Sequence, residues 1–162
     1  MRLGEGVEWG LHCATVLAMV PPGMPIPANR LAEFHGVPPT YLAKILQGMS
    51  AAGLVEAVPG RRGGYRLARG ISDITLLDVV LAVDGDEPAF RCTEIRRRGP
   101  SAVPARQYTP VCTIAAAMWE AEEAWRDSLR SITLADLVGS LAQAIPADAV
   151  RKGVAWMQEV LS

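Results

Sequence analysis

Apolar residues recur every three or four positions along several stretches of this chain, and each stretch predicts an amphipathic helix. The first stretch spans residues 4–19 and ends at a Val-Pro-Pro-Gly run. A longer one spans residues 111–130, and its apolar positions are Ile114, Met118, Ala121, Trp125 and Leu129. Further helices are predicted over 74–83, capped by Thr75, and over 133–144 and 147–161.

Residues 26–53 have the pattern of two short helices joined by a tight turn. The first helix is predicted over 28–34, and His35-Gly36-Val37 forms the turn. The second helix follows Pro38-Pro39, with Thr40 as the expected N-terminal cap, because a threonine hydroxyl accepts hydrogen bonds from the free N–H groups of a first turn.

A basic hairpin is predicted directly after these helices. Two short apolar runs, 54–58 and 65–68, flank the tip Pro-Gly-Arg-Arg-Gly-Gly, whose glycines permit turn geometry. Helix, turn, helix and basic hairpin is the order of a winged helix-turn-helix. The predicted fold class is therefore mainly α with a small β-hairpin wing, followed by a long helix.

Charge is distributed unevenly along the chain. The whole chain has a formal net charge of −1, whereas residues 26–69 carry about +4 and leave about −5 for the remainder. The basic residues of that segment are Arg30, Lys44, Arg61, Arg62, Arg66 and Arg69. A basic module on an acidic body favours binding of double-stranded DNA by one face.

In such a module the second helix enters the major groove. Its outward positions are predicted to be Thr40, Tyr41, Lys44 and Gln47, which can hydrogen-bond base edges or phosphates. Arg61 and Arg62 at the hairpin tip are expected to reach phosphates or the adjacent minor groove. The alternative for each of these residues is an ordinary solvated surface position.

The helix over 111–130 is about 30 Å long at ~1.5 Å per residue. It is either a core helix of a monomer or a dimerisation helix. We favour the second interpretation, because helix-turn-helix proteins usually read two half-sites and so need a two-fold dimer.

The residues argue against several other classes of protein. We find no Ser/His/Asp set, no glycine-rich phosphate loop and no paired acid–base carboxylates, so an enzyme is not expected. His35, in the predicted turn, is expected to be structural. No segment is apolar enough for a membrane span and the N-terminus lacks a signal-peptide pattern, so a cytoplasmic protein is expected. In that reducing compartment the three cysteines are not expected to form a structural disulfide.

Four residues are candidate metal ligands. Glu8 and His12 are four apart on the first helix and share a face. Cys92 and Cys112 bracket a proline-rich loop that also contains Arg96-Arg97-Arg98. From spacing alone, a buried cysteine pair and a surface Glu–His pair without a metal are favoured. The third cysteine, Cys13, points about 100° away from His12 on a helix, so it is expected to be buried as an apolar residue.

Longer matches change this interpretation. The segments PTYLAKILQGMSAAGLV, RRGGYRLA and ITLLDVVLAVDG, followed by a cysteine-bearing loop and a long helix, resemble the Rrf2 family of bacterial winged-helix regulators over nearly the whole chain. Most cluster-binding members of that family have three closely spaced cysteines in the loop. This chain has only Cys92 and Cys112 there, which departs from the pattern of a four-iron site.

The segments GVEWGLHC, PAFRCTEIRRRGP and VCTIAAAMWEAEEAWR are similar to one redox-sensing branch of the family. That resemblance implies a two-iron, two-sulfur (2Fe-2S) cluster held by Glu8, His12, Cys92 and Cys112. It also implies that the cluster bridges a homodimer. The predicted organisation is a winged helix-turn-helix DNA-binding domain (1–86), a cluster-binding loop (87–110), and a dimerisation helix with a C-terminal helical region (111–162). The alternative is a cluster-free regulator that responds to thiol oxidation or a small ligand.

Overall fold

The computed structural model describes residues 3–161, in which a winged module is followed by three long helices. Each predicted helix and strand is found there, with ends shifted by at most two residues. The helices are α1 (Glu5–Met19), α2 (Ala28–His35), α3 (Pro39–Ala51), α4 (Leu76–Asp84), α5 (Thr113–Arg130), α6 (Leu134–Ala144) and α7 (Ala147–Leu161), and the strands are β1 (Val55–Val58) and β2 (Gly64–Leu67). Within the described part of the chain, no helix is long and apolar enough to cross a membrane.

The hydrophobic core lies between α1, α3, α4 and the hairpin. Helix α3 contributes one face to it, and the fully buried residues of that face are Leu42, Leu46 and Met49. Helix α1 contributes Cys13 and Ala14, which are also fully buried. Because α3 is held by one face only, its opposite face is left at the surface.

The turn between α2 and α3 depends on a glycine and two prolines. Gly36 ends α2 with φ of 67°, a conformation that is strained for residues with a side chain. Helix α3 begins at Pro39 with Pro38 in the cap position and no side-chain cap. The predicted cap at Thr40 is therefore wrong: Thr40 lies inside the first turn. Proline makes such a cap unnecessary, because its φ suits a first turn and it has no N–H group to satisfy.

The wing is an antiparallel hairpin that runs from the pair Val55–Leu67 to the pair Val58–Gly64. Ile26 adds a further bridge to Tyr65, with reciprocal backbone hydrogen bonds of 2.9 and 2.8 Å. A Cβ atom at Gly64 would lie 2.2 Å from the carbonyl oxygen of Ile26, so this close approach requires glycine. The end of β2 next to the turn is thereby fixed to the segment that leads into α2.

Two helices start side by side with the same type of cap. Thr75 and Asp78 form a capping box at the start of α4, as the sequence predicts for Thr75, and Thr133 and Asp136 form another at α6. The two caps are joined by an isolated bridge between Thr75 and Thr133. Leu134 is buried in the core next to this junction, so the chain returns to the winged module after α5.

The last helices differ in what they contact. On α5, Ile114, Met118 and Trp119 are 66%, 43% and 44% exposed, so much of its apolar surface is uncovered in the protomer. Helix α7 instead covers α2, where the ring of Trp156 lies 4.6 Å from that of Phe34. Glu159 also pairs with Arg30 of α2 at 2.6 Å.

Candidate nucleic-acid interface and metal-ligand sites

The outward face of α3 contains the four predicted contact residues. Thr40, Tyr41, Lys44 and Gln47 are all exposed, and they alternate along the helix with the buried residues of its inner face. Hydroxyl, phenol, ammonium and amide groups are thus presented together on one side of α3, which suits hydrogen bonding to base edges.

The tip of the wing presents Arg61 and Arg62, both exposed in the turn between β1 and β2. Gly60, with φ of 110°, permits this turn. Arg66, on β2, is held back instead: its guanidinium pairs with Glu56 at 2.6 Å and donates to the carbonyl of Gly23 at 3.2 Å. The wing therefore presents two exposed arginines at its tip, whereas Arg66 is anchored by Glu56 and Gly23.

Glu8 and His12 line the same open cleft on α1, as their spacing predicts. The cleft has a volume of about 260 Å³ and is also lined by Trp9 and His35. The His35 ring lies 5.7 Å from that of His12, and its Nε2 is buried without a hydrogen-bond partner among the described residues. Burial, with a smaller contribution from the charge of His12, lowers the pKa of His35 to about 4, so His35 is neutral at pH 7.

This cleft also touches the helix-turn-helix motif directly. The indole of Trp9, next to Glu8 on α1, packs edge-on against the ring of Tyr41 with centroids 6.5 Å apart. Tyr41 belongs to the exposed face of α3, and His35 is the last residue of α2. Trp9 and His12 therefore each contact one of the two helices of the motif.

The other two candidate ligands form a pair of their own. Cys112 is the residue before α5, and the backbone N–H groups of Ala115 and Ile114 bond its sulfur and lower its pKa. The nearby Arg96 and a hydrogen bond with the Cys92 thiol lower it further. A helix N-terminus favours negative charge, so the Cys112 thiolate is stabilised in place.

Cys92 is held by the turn that follows it. The backbone N–H of Glu94 donates to the Cys92 sulfur at 3.4 Å, and the Glu94 carboxylate lies 3.8 Å from the same sulfur. Cys13 belongs to neither pair: it is fully buried in the core, and burial raises its pKa to about 12. The expectation that Cys13 is an apolar core residue is confirmed.

Comparison with known proteins identifies the family. The model of the Rrf2 family, described as an iron-dependent transcriptional regulator, matches residues 3–140. This chain belongs to the Rrf2 family. It is accordingly a DNA-binding transcriptional regulator and not an enzyme. Helix α7 lies beyond the residues that match the family.

Individual Rrf2-type relatives match most of the chain. Rv1287 of Mycobacterium tuberculosis, named as an HTH-type transcriptional regulator, is 31% identical over 140 residues, which cover 86% of this chain and 82% of that protein. Protein aau3 of Rhizobium meliloti is 39% identical over 113 residues, or 70% of each chain.

Two solved structures confirm the predicted fold class. CymR, the global cysteine regulator of B. subtilis, superposes with a TM-score of 0.67 at 22% identity and covers 86% of this chain and 98% of CymR. IscR of T. potens superposes with a TM-score of 0.66, also at 22% identity, and covers 91% of this chain and 93% of IscR. The shared architecture is a winged helix-turn-helix with long C-terminal helices.

Whether the four candidate ligands suit a cluster depends on their chemistry and their grouping. Two thiolates, an imidazole and a carboxylate are groups that bind iron, and histidine replaces cysteine on one iron of some 2Fe-2S sites. Over residues 3–161, however, no three His, Cys, Asp or Glu side chains lie close enough together to hold a metal ion. Within one protomer, the Glu8–His12 and Cys92–Cys112 pairs are thus separate sites.

Sequence reasoning missed two residues beside the cysteines. Glu94 and Arg96 contact each other at 3.0 Å and surround the Cys92 turn. The sequence gives a weak signal for them, since Cys92, Glu94 and Arg96 alternate at positions two apart. That spacing does not indicate that Arg96 also reaches the segment before Cys112, which the fold brings next to it.

Proposed function

We propose that this Rrf2-family protein belongs to the redox-sensing branch that its sequence resembles, the RsrR type, and senses through a 2Fe-2S cluster bridging a homodimer. Glu8 and His12 of one protomer would hold the cluster together with Cys92 and Cys112 of the other. One observation carries the proposal. The two residues of each pair lie together and are accessible to solvent, but neither pair alone is a complete ligand set.

The DNA-reading part of the proposal rests on the exposed face of α3. Thr40 and Gln47 would hydrogen-bond base edges, Lys44 would reach a guanine or a phosphate, and Tyr41 would do either. Arg61 and Arg62 would contact phosphates or the minor groove beside the site. A two-fold dimer would place two such modules on half-sites about one helical turn apart, or a multiple of it.

The wing is tested by replacing Arg61 and Arg62 with alanine. If each contacts one phosphate, the slope of log affinity against log salt should decrease by about 1.8 in total, at ~0.9 per contact. Arg91→Ala, an exposed arginine outside the winged module, is the matched control. An unchanged salt slope in the double variant would show that the wing does not contact the DNA backbone.

The exposed apolar surface of α5 supports the dimer. Ile114, Met118 and Trp119 are large apolar residues left at the surface of the protomer, and α5 begins directly after Cys112. A contact along this helix would bring the Cys92–Cys112 pair of one protomer to the dimer interface. The partner's Glu8–His12 cleft would then complete the ligand set.

Signal transfer is proposed to use the contacts between α1 and the helix-turn-helix motif. A 2Fe-2S cluster would supply a one-electron redox centre at the ligands. His12 contacts His35 at the end of α2, and Trp9, adjacent to Glu8, contacts Tyr41 on α3. A shift of Glu8 and His12 would therefore displace residues that touch both helices of the motif. The loss of one base contact costs about 1–3 kcal/mol, which is enough to alter operator affinity.

Anaerobic purification tests the proposal. The protein should be coloured and contain iron and acid-labile sulfide in equal amounts, and operator affinity should differ between its oxidised and reduced forms. Colourless, iron-free protein that still binds DNA under redox control would contradict the cluster.

A cluster-free thiol switch is the second candidate, and one observation favours it. The Cys92 thiol lies near enough to Cys112 to help lower its pKa, and the Cys112 thiolate is stabilised by the N-terminus of α5. Such a pair can form a disulfide on oxidation. Iron analysis separates the two candidates, because only the cluster requires metal.

A further inference from the structure

One arginine connects the segments that contain the two loop cysteines. The Arg96 guanidinium pairs with Glu94 at 3.0 Å on one side. On the other side it donates to the carbonyl of Thr109 at 2.9 Å and to its hydroxyl at 3.1 Å. The guanidinium also lies 5.1 Å from the centre of the Tyr108 ring. With its side chain only 19% exposed, Arg96 is enclosed by these partners.

Both sets of contacts lead to a cysteine. Glu94, which Arg96 holds, donates its backbone N–H to the sulfur of Cys92. Thr109 is three residues before Cys112, and Arg96 also reaches the carbonyl of Val111 at 3.5 Å, immediately before that cysteine. The polar contacts of a single side chain therefore link both cysteine-bearing segments.

The backbone of this turn also needs external support. Glu94 has φ of 55°, and it is the one residue other than glycine with positive φ in the described part of the chain. That conformation is unfavourable for glutamate and persists only where surrounding contacts hold it. Ion pairs from Arg96 and Arg97 to its carboxylate, at 3.0 and 2.9 Å, supply such contacts.

The neighbouring arginines differ from Arg96 in reach. Arg97 bonds Glu94 on the Cys92 side only, apart from a weaker approach to the Tyr108 ring at 5.9 Å. Arg98 is exposed and donates to the carbonyl of Thr93 at 3.1 Å. Arg98 thus offers a control of equal charge in the same loop without the bond to the Cys112 side.

We propose that Arg96 is a positioning residue that holds Cys92 and Cys112 together as a preformed pair, and that its charge favours the more electron-rich state of the sulfur site. The first half of this proposal concerns the chain itself, whereas the second half rests on the proposed function. A fixed positive charge close to both sulfurs stabilises the state with one additional electron, which raises the reduction potential.

The pairing is tested on cluster-free, reduced protein with the oxidant diamide. Formation of the disulfide removes two electrons and two protons from the two thiols, and diamide accepts them and becomes its hydrazine. The rate of Cys92–Cys112 disulfide formation, followed by mass spectrometry, should fall by roughly tenfold to a hundredfold in Arg96→Gln, because the sulfurs are no longer held in reach. Arg98→Gln should match the wild type, and Arg96→Lys should fall between them. An unchanged rate in Arg96→Gln, at an unchanged unfolding midpoint, would overturn the positioning role.

The charge effect is tested on protein that contains the cluster. Its reduction potential should be lower in Arg96→Gln than in the wild type, largely restored in Arg96→Lys, and unaffected in Arg98→Gln. A reduction potential in Arg96→Gln equal to that of the wild type would overturn the charge effect. If the wild type proves to contain no iron or sulfide, the proposed function and the charge effect both fail, and the diamide measurement still decides the positioning role.

Discussion

The two ligand pairs of this protein are built in different ways. Glu8 and His12 lie on α1, whose other face is buried in the core, and their cleft is bordered by residues of the helix-turn-helix motif. Cys92 and Cys112 lie at the two sides of a loop without long helices or strands, where side-chain hydrogen bonds replace regular structure. The first pair is thus coupled to the DNA-reading helices, and the second is a local polar assembly near α5.

This difference indicates a division of roles in the proposed sensor. A loop fixed by a few polar contacts opens more easily than a packed core, so ligand exchange is expected on the cysteine side. A displacement of α1 instead acts on neighbours that are themselves closely packed, and packed interiors transmit strain. The Glu8–His12 side is therefore suited to passing a change on to α3.

The largest effect is expected from the cysteine side. Cys92→Ala and Cys112→Ala should each abolish the bound iron and sulfide, because thiolates are the essential ligands of such clusters. Cys13→Ala is the matched control and should retain both, since Cys13 is buried in the core away from the loop. Iron and sulfide analysis after anaerobic purification measures the outcome. Full cluster content in either loop variant would remove that cysteine from the ligand set.

A smaller effect is expected at the contact between α1 and α3. Trp9→Ala should retain the cluster but narrow the difference in operator affinity between the oxidised and reduced forms. An aromatic pair is worth about 0.5–1.5 kcal/mol, so the change should lie between about twofold and tenfold. Tyr41→Phe separates two roles of Tyr41, because it keeps the ring contact with Trp9 and removes only the hydroxyl. If the oxidised and reduced forms of Trp9→Ala differ in operator affinity as much as those of the wild type, signal transfer through the Trp9–Tyr41 contact is excluded.

The smallest effect is expected on thermal stability, at the capping box that starts α6, where the chain returns from α5 to the core. The hydroxyl of Thr133, followed by its backbone N–H, lowers the pKa of Asp136 in the folded protein. Since the folded pKa is below the unfolded one, this capping box stabilises the fold above the usual aspartate range and is lost as the pH falls through the folded pKa.

Asp136→Asn should therefore lower the unfolding midpoint near neutral pH and approach the wild type in acid. Glu120→Gln, an exposed carboxylate-to-amide change on α5, is the control. Thermal unfolding between pH 7 and strongly acidic pH measures the difference. If the unfolding midpoint of Asp136→Asn is lower than that of the wild type by the same amount at every pH, the charge of Asp136 is not the cause of the lost stability.

Much of the fold could be predicted because its signals are local. The cap at Thr75 and the turn at Gly36 each depend on residues adjacent in sequence, and both are found. The predicted cap at Thr40 is wrong because threonine and proline both indicate a helix start in this segment. The prolines define the start of α3 without a side-chain hydrogen bond. The outward face of α3 followed from the spacing of its buried residues.

The candidate sites could be predicted only in part. The helical spacing of Glu8 and His12 places them in one cleft, as found. The role of Arg96 could not be predicted, because it depends on the closure of a loop that brings Thr109 within 2.9 Å of its guanidinium. The contact of Trp9 with Tyr41 depends likewise on how two separate helices cross.

Mixed dimers test the central claim, that ligands from two protomers share one cluster. One protomer carries Cys92→Ser and Cys112→Ser, the other carries Glu8→Gln and His12→Asn, and two affinity tags isolate the mixed species. If the ligand set is shared between protomers, one complete site remains, and the mixed dimer should contain half the wild-type iron and sulfide. Each parent homodimer should contain none. A mixed dimer without iron would contradict the account, because it would show that no complete ligand set arises between the two protomers.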